Sequence, residues 1–573
     1  METKTIDTDV LIIGGSSAGL WASIRARDFS PRVTLVDKGI VASAGVSTFI
    51  HVVAAPLAEE DILPALREIV ERSTYLTEQT RMEVLLREMG DRFRDMEKWG
   101  VPFERDSSGK IITAKRMGQK VTSCVFINGR PMMQTLREQA LKRGVQFVER
   151  VIATDLLTSD GLQPTKGQVV GAVGFHTITG QPYRFRAKAV IMASGLVSGK
   201  LHIGYTDGVT GDGQAMAFRA GAELQSMEMI TNPVFPIWER KFCTGGQGEY
   251  MNAGARVVNK NGEDIIPKYG PDKAKPFLTR IQLCQAAAKE IIDGRGPVYF
   301  DMRHLTDGDM EIMRHVLPSA MKAFDEEGID LQKQRVETTP IVPYVCGGGE
   351  GGIRVNLQSA STIPGLYAAG CASFTSGNHS YIIGIAQSFG FVAGYRAGEA
   401  AGKRAAAAGE AEIRAEQADG FIKEAMAPLK RKSGPRPDKI YLSLNKVFIP
   451  YPFSFFKHET RIKTSLAEIA RVQKEELPRV SARDIHELVK ANEVRNYATL
   501  LELLFRCALE RKDSRIGHYR EEYPYRDDVD WLKWSIIRQE RDGLALRFEP
   551  VPVEQYPVKL EKRARIDPPV KLS

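Results

Sequence analysis

A glycine-rich turn between two apolar segments near the start of the chain constrains the fold most. The stretch VLIIGGSSAGLWAS, residues 10–23, begins with an apolar run that is typical of a buried parallel strand. A helical segment follows to about Asp28, and a second apolar run, residues 33–36, ends at Asp37. This order of strand, turn, helix, strand and acid is typical of a dinucleotide-binding unit.

The turn departs at one position from the dinucleotide fingerprint G-x-G-x-x-G, because Ser16 stands between Gly14 and Gly19. The middle glycine normally lets the backbone approach the pyrophosphate. Serine adds only a small side chain, whose hydroxyl can itself donate, and N–H groups at the helix start supply the rest of an anion site. Asp37 follows at the distance expected for a ribose ligand. We therefore predict dinucleotide binding over the alternative, a tight turn in another kind of α/β protein.

Two more apolar strands end in glycine turns, and they indicate which dinucleotide is bound. The stretch AKAVIMASGL, residues 187–196, ends at Ser194 and Gly195, and IPGLYAAGCAS, residues 363–373, turns at Gly370. Three glycine turns behind apolar strands favour a long, extended ligand such as FAD.

Composition bounds the remaining possibilities. A chain of 573 residues is too long for one core and predicts two or three domains. The net charge of +8 weakly favours anionic ligands, but the basic residues are scattered, so we expect no nucleic-acid partner. None of the six cysteines forms a CxxC pair, which argues against a zinc site or an iron–sulfur cluster built by this chain alone.

The sequence also bears on location. No stretch approaches the about 20 apolar residues that a membrane span needs. Residues 1–9 are polar and do not form a signal peptide. We expect a cytoplasmic protein with no direct membrane span.

Several longer segments resemble the flavoprotein subunits of the fumarate reductase, succinate dehydrogenase and adenylylsulfate reductase superfamily. They lie within residues 8–535 and read NGRPMMQTLREQALKRGV, VIMASG, VTGDGQAMAFRAGAELQSMEM, EIIDGRGPVYFDMRHL, IPGLYAAG and RKDSRIGHYREEYPYRDDVDWLK. The resemblance implies an α/β fold: a Rossmann-like FAD-binding domain, an inserted capping domain and a C-terminal helical region. We place the FAD-binding domain at residues 1–230 and 337–402, the capping domain at 231–336, the helical domain at 403–545 and a tail at 546–573.

The resemblance also implies which residues bind the cofactor. The expected FAD-binding residues are Gly14, Gly15, Ser16, Ser17, Ala18, Gly19, Asp37, Lys38, Ser194, Gly195, Asp212, Gly370 and Cys371. Some relatives attach their flavin to a histidine in an S-H-T string. That position falls on Ala44 here, so we expect non-covalent FAD.

The chain departs from the family where relatives hold a dicarboxylate. Asn232 and Pro233 replace the H-P-T-G string, and Pro343 replaces a second histidine. The stretch TSGNHSYIIGIAQSFG, residues 375–390, lacks the arginine of the relatives' G-A-N-R-L-G string. The loss of charged donors from a buried anion site weakens anion binding by several kcal/mol of binding free energy. We therefore predict that fumarate reduction and succinate oxidation are slow or absent.

Two residues are the leading catalytic candidates. Arg280 matches the capping-domain arginine that carries a proton to substrate in relatives, although Ile281 replaces the acid beside it. An arginine acts best as an electrostatic clamp. His379 follows the last glycine turn and suits a general acid or base. Further candidates are His51, Cys346, Arg354, Cys371 and Tyr381.

The sequence leaves more than one function open. The leading interpretation is an FAD-dependent oxidoreductase subunit that acts on a small anionic substrate and exchanges electrons with an iron–sulfur, ferredoxin-like partner. The glycine-rich string VPYVCGGGEGG, residues 342–352, and the G-x-H segment, residues 377–379, resemble the adenylylsulfate reductase branch more than the succinate branch. The alternatives are a free-standing oxidase or dehydrogenase resembling L-aspartate oxidase, a fumarate reductase or succinate dehydrogenase, and a non-catalytic flavoprotein that relays electrons or acts as a scaffold.

Overall fold

A computed structural model describes residues 2–115, 118–199, 208–230, 234–238, 242–244, 247–270, 278–340, 351–375, 382–568 and 570. Its strands, numbered in chain order, are β1 Lys4–Ile13, β2 Val33–Asp37, β3 Val52–Ala54, β4 Thr113–Ala114, β5 Cys124–Phe126, β6 Gln146–Glu149, β7 Val151–Thr158, β8 Val169–His176, β9 Pro182–Met192, β10 Leu224–Gln225, β11 Val234–Trp238, β12 Phe242–Cys243, β13 Arg256–Val258, β14 Val298–Asp301, β15 Val336–Pro340, β16 Gly352–Ile353, β17 Leu366–Ala368, β18 Arg526–Asp527, β19 Lys533–Glu540, β20 Gly543–Pro550 and β21 Arg565–Ile566. Its α-helices are α1 Ser17–Ala26, α2 Glu59–Arg72, α3 Gln79–Lys98, α4 Gly129–Lys142, α5 Asp212–Ala220, α6 Gln247–Asn252, α7 Ile265–Tyr269, α8 Arg280–Ile292, α9 Asp307–Val316, α10 Pro318–Glu326, α11 Ile385–Ala407, α12 Ala415–Lys430, α13 Pro437–Lys446, α14 Tyr451–Ser454, α15 Glu459–Arg471 and α16 Ile485–Glu510.

The central sheet contains the strands predicted from the apolar runs. Strands β6, β2, β1 and β9 are neighbours in that order and run parallel, with Val10 of β1 opposite Val33 of β2 and Ala189 of β9. The end of β9 pairs in parallel with β17, while its beginning pairs antiparallel with β8, which in turn pairs with β7. The second half of β1 is fully buried, as its apolar run predicts.

The carboxyl ends of β1, β2, β9 and β17 lie at one edge of this sheet. Strands β1, β9 and β17 lead into the three predicted glycine turns, and β2 ends at Asp37. A Cβ added to Gly14 would lie 2.3 Å from the carbonyl oxygen of Ala193, after β9. A Cβ on Gly19 would lie 1.9 Å from the carbonyl oxygen of Gly14, so α1 can cross β1 this closely only with glycine there. In doubly wound sheets this edge is where ligands bind.

A second, five-stranded sheet is formed mainly by the segment that the sequence assigns to the capping domain, and its strand β15 extends past the predicted boundary at residue 336. Its order is β12, β11, β15, β14 and β13, and helices α6 to α10 occur between its strands along the chain. Strands β11 and β15 pair antiparallel, with Val234 opposite Pro340, so the segment leaves and returns at neighbouring positions. The exact domain boundaries given above remain a prediction.

The C-terminal region requires a correction. Helices α12 to α16 occupy much of residues 403–545, but residues 533–540 form β19, which pairs with β20 in a hairpin across the predicted boundary at 545 and 546. The pair Asp542-Gly543, in which Gly543 has a φ of 136°, is a hairpin signal in the sequence that our interpretation missed.

None of the helices in the described part of the chain has both the length and the apolar character that a membrane span requires.

Candidate cofactor and substrate cavity

A cavity of about 1140 Å³ opens at the carboxyl edge of the central sheet. Every predicted FAD-binding residue lines it except Gly19, which instead sits against Gly14 and lets α1 pack on β1. Sites for drug-sized ligands occupy roughly 300–1,000 Å³. The cavity is therefore large enough for an extended dinucleotide with a small second ligand.

The serine that replaces the middle glycine is held against a neighbouring segment. Ser16 Oγ lies 2.8 Å from Ser47 Oγ, and Ser17 Oγ lies 3.1 Å from the same atom. Gln387 Nε2 donates to Ser17 Oγ at 2.6 Å. Ser16 is also the N-cap of α1 but its side chain makes no capping hydrogen bond, so the N–H groups of the first turn keep their capacity to bind an anion.

Asp37, the last residue of β2, holds the backbone of the first glycine turn in place. Its two carboxylate oxygens accept hydrogen bonds from the backbone N–H groups of Gly15, at 2.7 Å, and Gly39, at 2.6 Å. An ionised carboxylate has about four acceptor sites, so two such bonds leave capacity for a ribose hydroxyl.

Lys38 and Asp212 form an ion pair within the cavity wall. Lys38 Nζ lies 2.9 Å from Asp212 Oδ2 and 2.8 Å from Glu493 Oε1 of α16. Burial alone lowers the pKa of Lys38, but the two carboxylates outweigh it and raise the net pKa. Burial raises the pKa of Asp212, while Lys38 and hydrogen bonds from Asn496 and Thr210 bring the net pKa below its ordinary value. Both groups are therefore charged at neutral pH.

The two later glycine turns follow the neighbouring strands β9 and β17, and both line the cavity. Ser194 Oγ accepts a hydrogen bond from the backbone N–H of Gly213 at 3.2 Å. Gly370 has a φ of 61°, a conformation that favours glycine. Cys371 is partly exposed in the lining and packs beside Leu196 and Val209.

One part of the lining was not predicted from the sequence. His486, Val489 and Glu493 of the C-terminal helix α16 line the cavity together with Ile152 and Ala153 of β7. No motif marks them, because a contact between segments more than 300 residues apart depends on how α16 packs on the sheet.

Arg280, one of the two leading catalytic candidates, lines the same cavity from the capping segment. It is the first residue of α8, follows the N-cap Thr279, and is only 9% exposed. A capping box between Thr279 and Gln282 fixes this helix start. A buried cation at the positive end of a helix is unfavourable in itself. Arg280 therefore brings a cationic side chain to the cavity wall.

A histidine and an acid from different segments also line the cavity. The side chain of His51 is accessible from the cavity, and Glu249 of α6 lies close enough to affect its charge. Desolvation by the surrounding protein lowers the pKa of His51, and the negative charge of Glu249 opposes that shift only in part. The imidazole is therefore neutral at pH 7 and able to accept a proton.

The remaining candidates from the sequence fall into two groups. His379, Cys346 and Tyr381 are outside the described residues. Arg354 does not line the cavity: it pairs with Glu223 and binds both carboxylate oxygens of Glu549, which explains it as a structural residue.

These features fit FAD. The glycine turns provide a close backbone approach, α1 provides unpaired N–H groups at its start, and Asp37 has spare acceptor capacity. Ala44, at the position where some relatives carry a flavin-linked histidine, lines the cavity and has no nucleophilic atom.

Comparisons with known proteins agree with this geometry. A family model described as an FAD binding domain matches residues 9–381, and one described as the C-terminal region of fumarate reductase flavoproteins matches residues 450–565. The chain is 27% identical to a subunit of the fumarate reductase (CoM/CoB) of Methanothermobacter marburgensis, over 95% of this chain and 99% of that protein. It is 26% identical to the mitochondrial succinate dehydrogenase flavoprotein subunit of Oryza sativa, over 96% and 92%.

Solved structures show the same fold. The FrdA chain of E. coli quinol fumarate reductase matches with a TM-score of 0.85 and 24% identity, covering 97% of this chain and 98% of that one. Adenylylsulfate reductase from Archaeoglobus fulgidus matches with a TM-score of 0.81 and 23% identity, covering 96% of each chain. The chain thus belongs to the FAD-binding flavoprotein family of fumarate reductases and succinate dehydrogenases, and it is an FAD-dependent oxidoreductase.

Proposed function

We propose that this flavoprotein binds FAD non-covalently in the cavity, acts there on a small anionic substrate, and exchanges electrons with an iron–sulfur partner protein. The observation that supports this most is the position of Arg280, which lines the same cavity as the three glycine turns although it comes from a different sheet-bearing segment. One cavity therefore carries the features of a dinucleotide site and a buried positive charge.

The cofactor residues divide by role in this proposal. The first turn and the start of α1 bind the pyrophosphate through backbone N–H groups, and Asp37 accepts a ribose hydroxyl. Lys38 and Asp212 stabilise the cavity wall by their ion pair, and Gly19 permits α1 to pack closely against β1. Bound FAD supplies two-electron chemistry to the substrate.

The substrate residues act by charge and by proton exchange. The Arg280 guanidinium is always protonated and holds an anion in place through charge-assisted hydrogen bonds. His51, neutral at pH 7, accepts or returns a proton, a role that we also assign to His379. The net charge of +8 adds a weak attraction for anions.

The partner assignment rests on the relatives. The curated relatives are named as subunits, so they belong to larger assemblies. A two-electron flavin often needs one-electron partners, and this chain has no CxxC pair with which to build a cluster. A reduced ferredoxin-type protein should therefore reduce the flavin of the holoprotein, and a flavin that stays oxidised in its presence would contradict the partner assignment.

Anion binding tests the substrate proposal. Formate, sulfite and fumarate are titrated into the purified holoprotein, and the flavin absorbance spectrum is followed. At least one anion should perturb the spectrum, and Arg280→Ala should weaken its binding at least about tenfold, because truncating one partner of a buried charge pair costs more than 1.4 kcal/mol. Arg303→Ala is the matched control, since Arg303 is a capping-segment arginine that is 50% exposed and outside the cavity. Equal anion affinity in the wild type and Arg280→Ala would contradict the proposal.

Fumarate is the second candidate substrate, because the relative from Methanothermobacter marburgensis is named a fumarate reductase. The missing histidines and arginine speak against it, and the positions 232 and 343 lie outside the described residues. We expect little oxidation of reduced viologen by fumarate. Turnover on the order of 1–1,000 per second would favour this second candidate instead.

A further inference from the structure

The first turn of helix α5 connects the ends of three parallel strands of the central sheet. Asp212 pairs with Lys38 after β2, and the N–H of Gly213 donates to Ser194 after β9. Gln214 joins two turns at once, because its Nε2 donates to the carbonyl oxygen of Gly195 at 2.8 Å and to that of Cys371 at 3.2 Å. These carbonyls follow β9 and β17 respectively.

Gln214 reaches both turns from behind the cavity. Gly195 and Cys371 line the cavity, whereas Gln214 is fully buried and does not. A fully buried side chain cannot touch a ligand in the cavity, so any effect that it has on a ligand passes through the two turns. Its carbonyl oxygen, Oε1, is buried with no hydrogen-bond partner among the described residues, which is unfavourable for the stability of the fold. The two donated hydrogen bonds offset this loss of stability.

A neutral amide suits this position better than the alternatives. Two carbonyl oxygens require two N–H donors, and the amide group of glutamine has both on one nitrogen. An ionised glutamate has none, and a methionine of similar shape has none. A lysine would bring a charge into a fully buried position, at a large desolvation cost.

We infer that Gln214 is a positioning residue for FAD, which sets the separation of the 194–195 and 370–371 turns and thereby the fit of the cofactor between them. The inference rests on the proposed placement of FAD in this cavity. Without the two bonds, each turn keeps its own strand but no side chain of α5 links them directly.

The test measures FAD affinity of the apoprotein by quenching of FAD fluorescence, with the melting temperature of the apoprotein measured in parallel. Gln214→Met should weaken FAD binding about tenfold, equivalent to about 1.4 kcal/mol. Gln214→Glu adds a second readout, the pH dependence of FAD affinity, which a general loss of stability would not change. Its protonated form keeps one donor and its ionised form none, so its FAD affinity should fall as the pH rises, whereas that of Gln214→Met should follow the wild type.

Gln417→Met is the matched control. Gln417 is 9% exposed, exchanges two 2.9 Å hydrogen bonds with Thr158 and does not line the cavity. The Gln417→Met variant should have a lower melting temperature and an unchanged affinity for FAD. Unchanged FAD affinity in Gln214→Met, or an equal loss in both glutamine variants, would overturn the inference. Asp37→Ala separates the two proposals: if it too leaves FAD affinity unchanged, the placement of FAD itself is wrong.

Discussion

At the scale of single residues, the ion pair between Lys38 and Asp212 has a stability consequence with a definite pH dependence. Asp212→Asn removes the charge and keeps the shape, and we expect a loss of about 2 kcal/mol at pH 7, the size of a hydrogen bond to a charged group. The pKa of Asp212 is lowered in the folded protein, so its contribution is present above the unfolded value and is lost as the pH falls through the folded one. Urea unfolding at pH 7 and below pH 4 measures both effects.

The control for Asp212 is an acid in a surface ion pair. Asp28 is 47% exposed and pairs with Arg25, and such pairs contribute about 0–1 kcal/mol. A loss in Asp28→Asn as large as that in Asp212→Asn would show that the cavity pair has no special role in stability.

A second residue-scale prediction concerns Lys457, which is fully buried and whose Nζ has no hydrogen-bond partner among the described residues. Burial and the nearby Arg520 lower its pKa to about 7, against the opposing effect of Glu228. The unfolded chain binds more protons than the folded one above pH 7, so this residue makes stability rise with pH from about 7 toward 10.5. Lys457→Met should melt at a higher temperature than the wild type at pH 7, and the difference should shrink by pH 9. A constant difference across this range would contradict the assigned pKa.

At the scale of elements, the crossing of α1 over β1 depends on one glycine. Gly19→Ala places a Cβ within 1.9 Å of the carbonyl oxygen of Gly14, so α1 must move away from the first turn. We expect loss of FAD from the purified protein, measured as the flavin absorbance per chain. Gly420→Ala in α12 is the control, because nothing lies within 4 Å of its added Cβ and alanine favours a helix by roughly 0.5–1 kcal/mol. Normal FAD content in Gly19→Ala would contradict the close packing.

The same elements show what the sequence could predict and what it could not. Local patterns identified the turns, because a glycine after a buried strand has a direct steric cause. The cavity wall from α16 could not be predicted, since His486 and Val489 reach the cavity only through the packing of a distant helix. The hairpin of β19 and β20 could have been predicted from Asp542 and Gly543.

At the scale of the whole molecule, the C-terminal segment returns to the first half of the chain. Val558 is fully buried, and its backbone N–H and carbonyl bond the side chain of Gln79 at the start of α3, at 3.0 and 2.8 Å. Tyr556 OH donates to Glu78 at 3.0 Å. This part of the tail therefore packs against the start of α3.

This contact predicts coupling between segments more than 450 residues apart. Val558→Ala should lower the free energy of unfolding by about 2 kcal/mol and increase hydrogen exchange in α3, because it removes fully buried apolar surface. Val529→Ala, at a position that is 52% exposed, should change stability by less than about 0.5 kcal/mol. Exchange in α3 that is unaffected by Val558→Ala would show that the tail does not stabilise this helix.

The most direct test of the central claim is a crystal structure of the purified protein with its own cofactor. The account predicts FAD density in the cavity at the carboxyl ends of β1, β2, β9 and β17, with no bond to Ala44 or to any other residue. It also predicts that Arg280 borders the remaining space. FAD bound elsewhere, a covalent link to the chain, or a cofactor that fills the cavity and separates Arg280 from any space for a substrate would contradict the account.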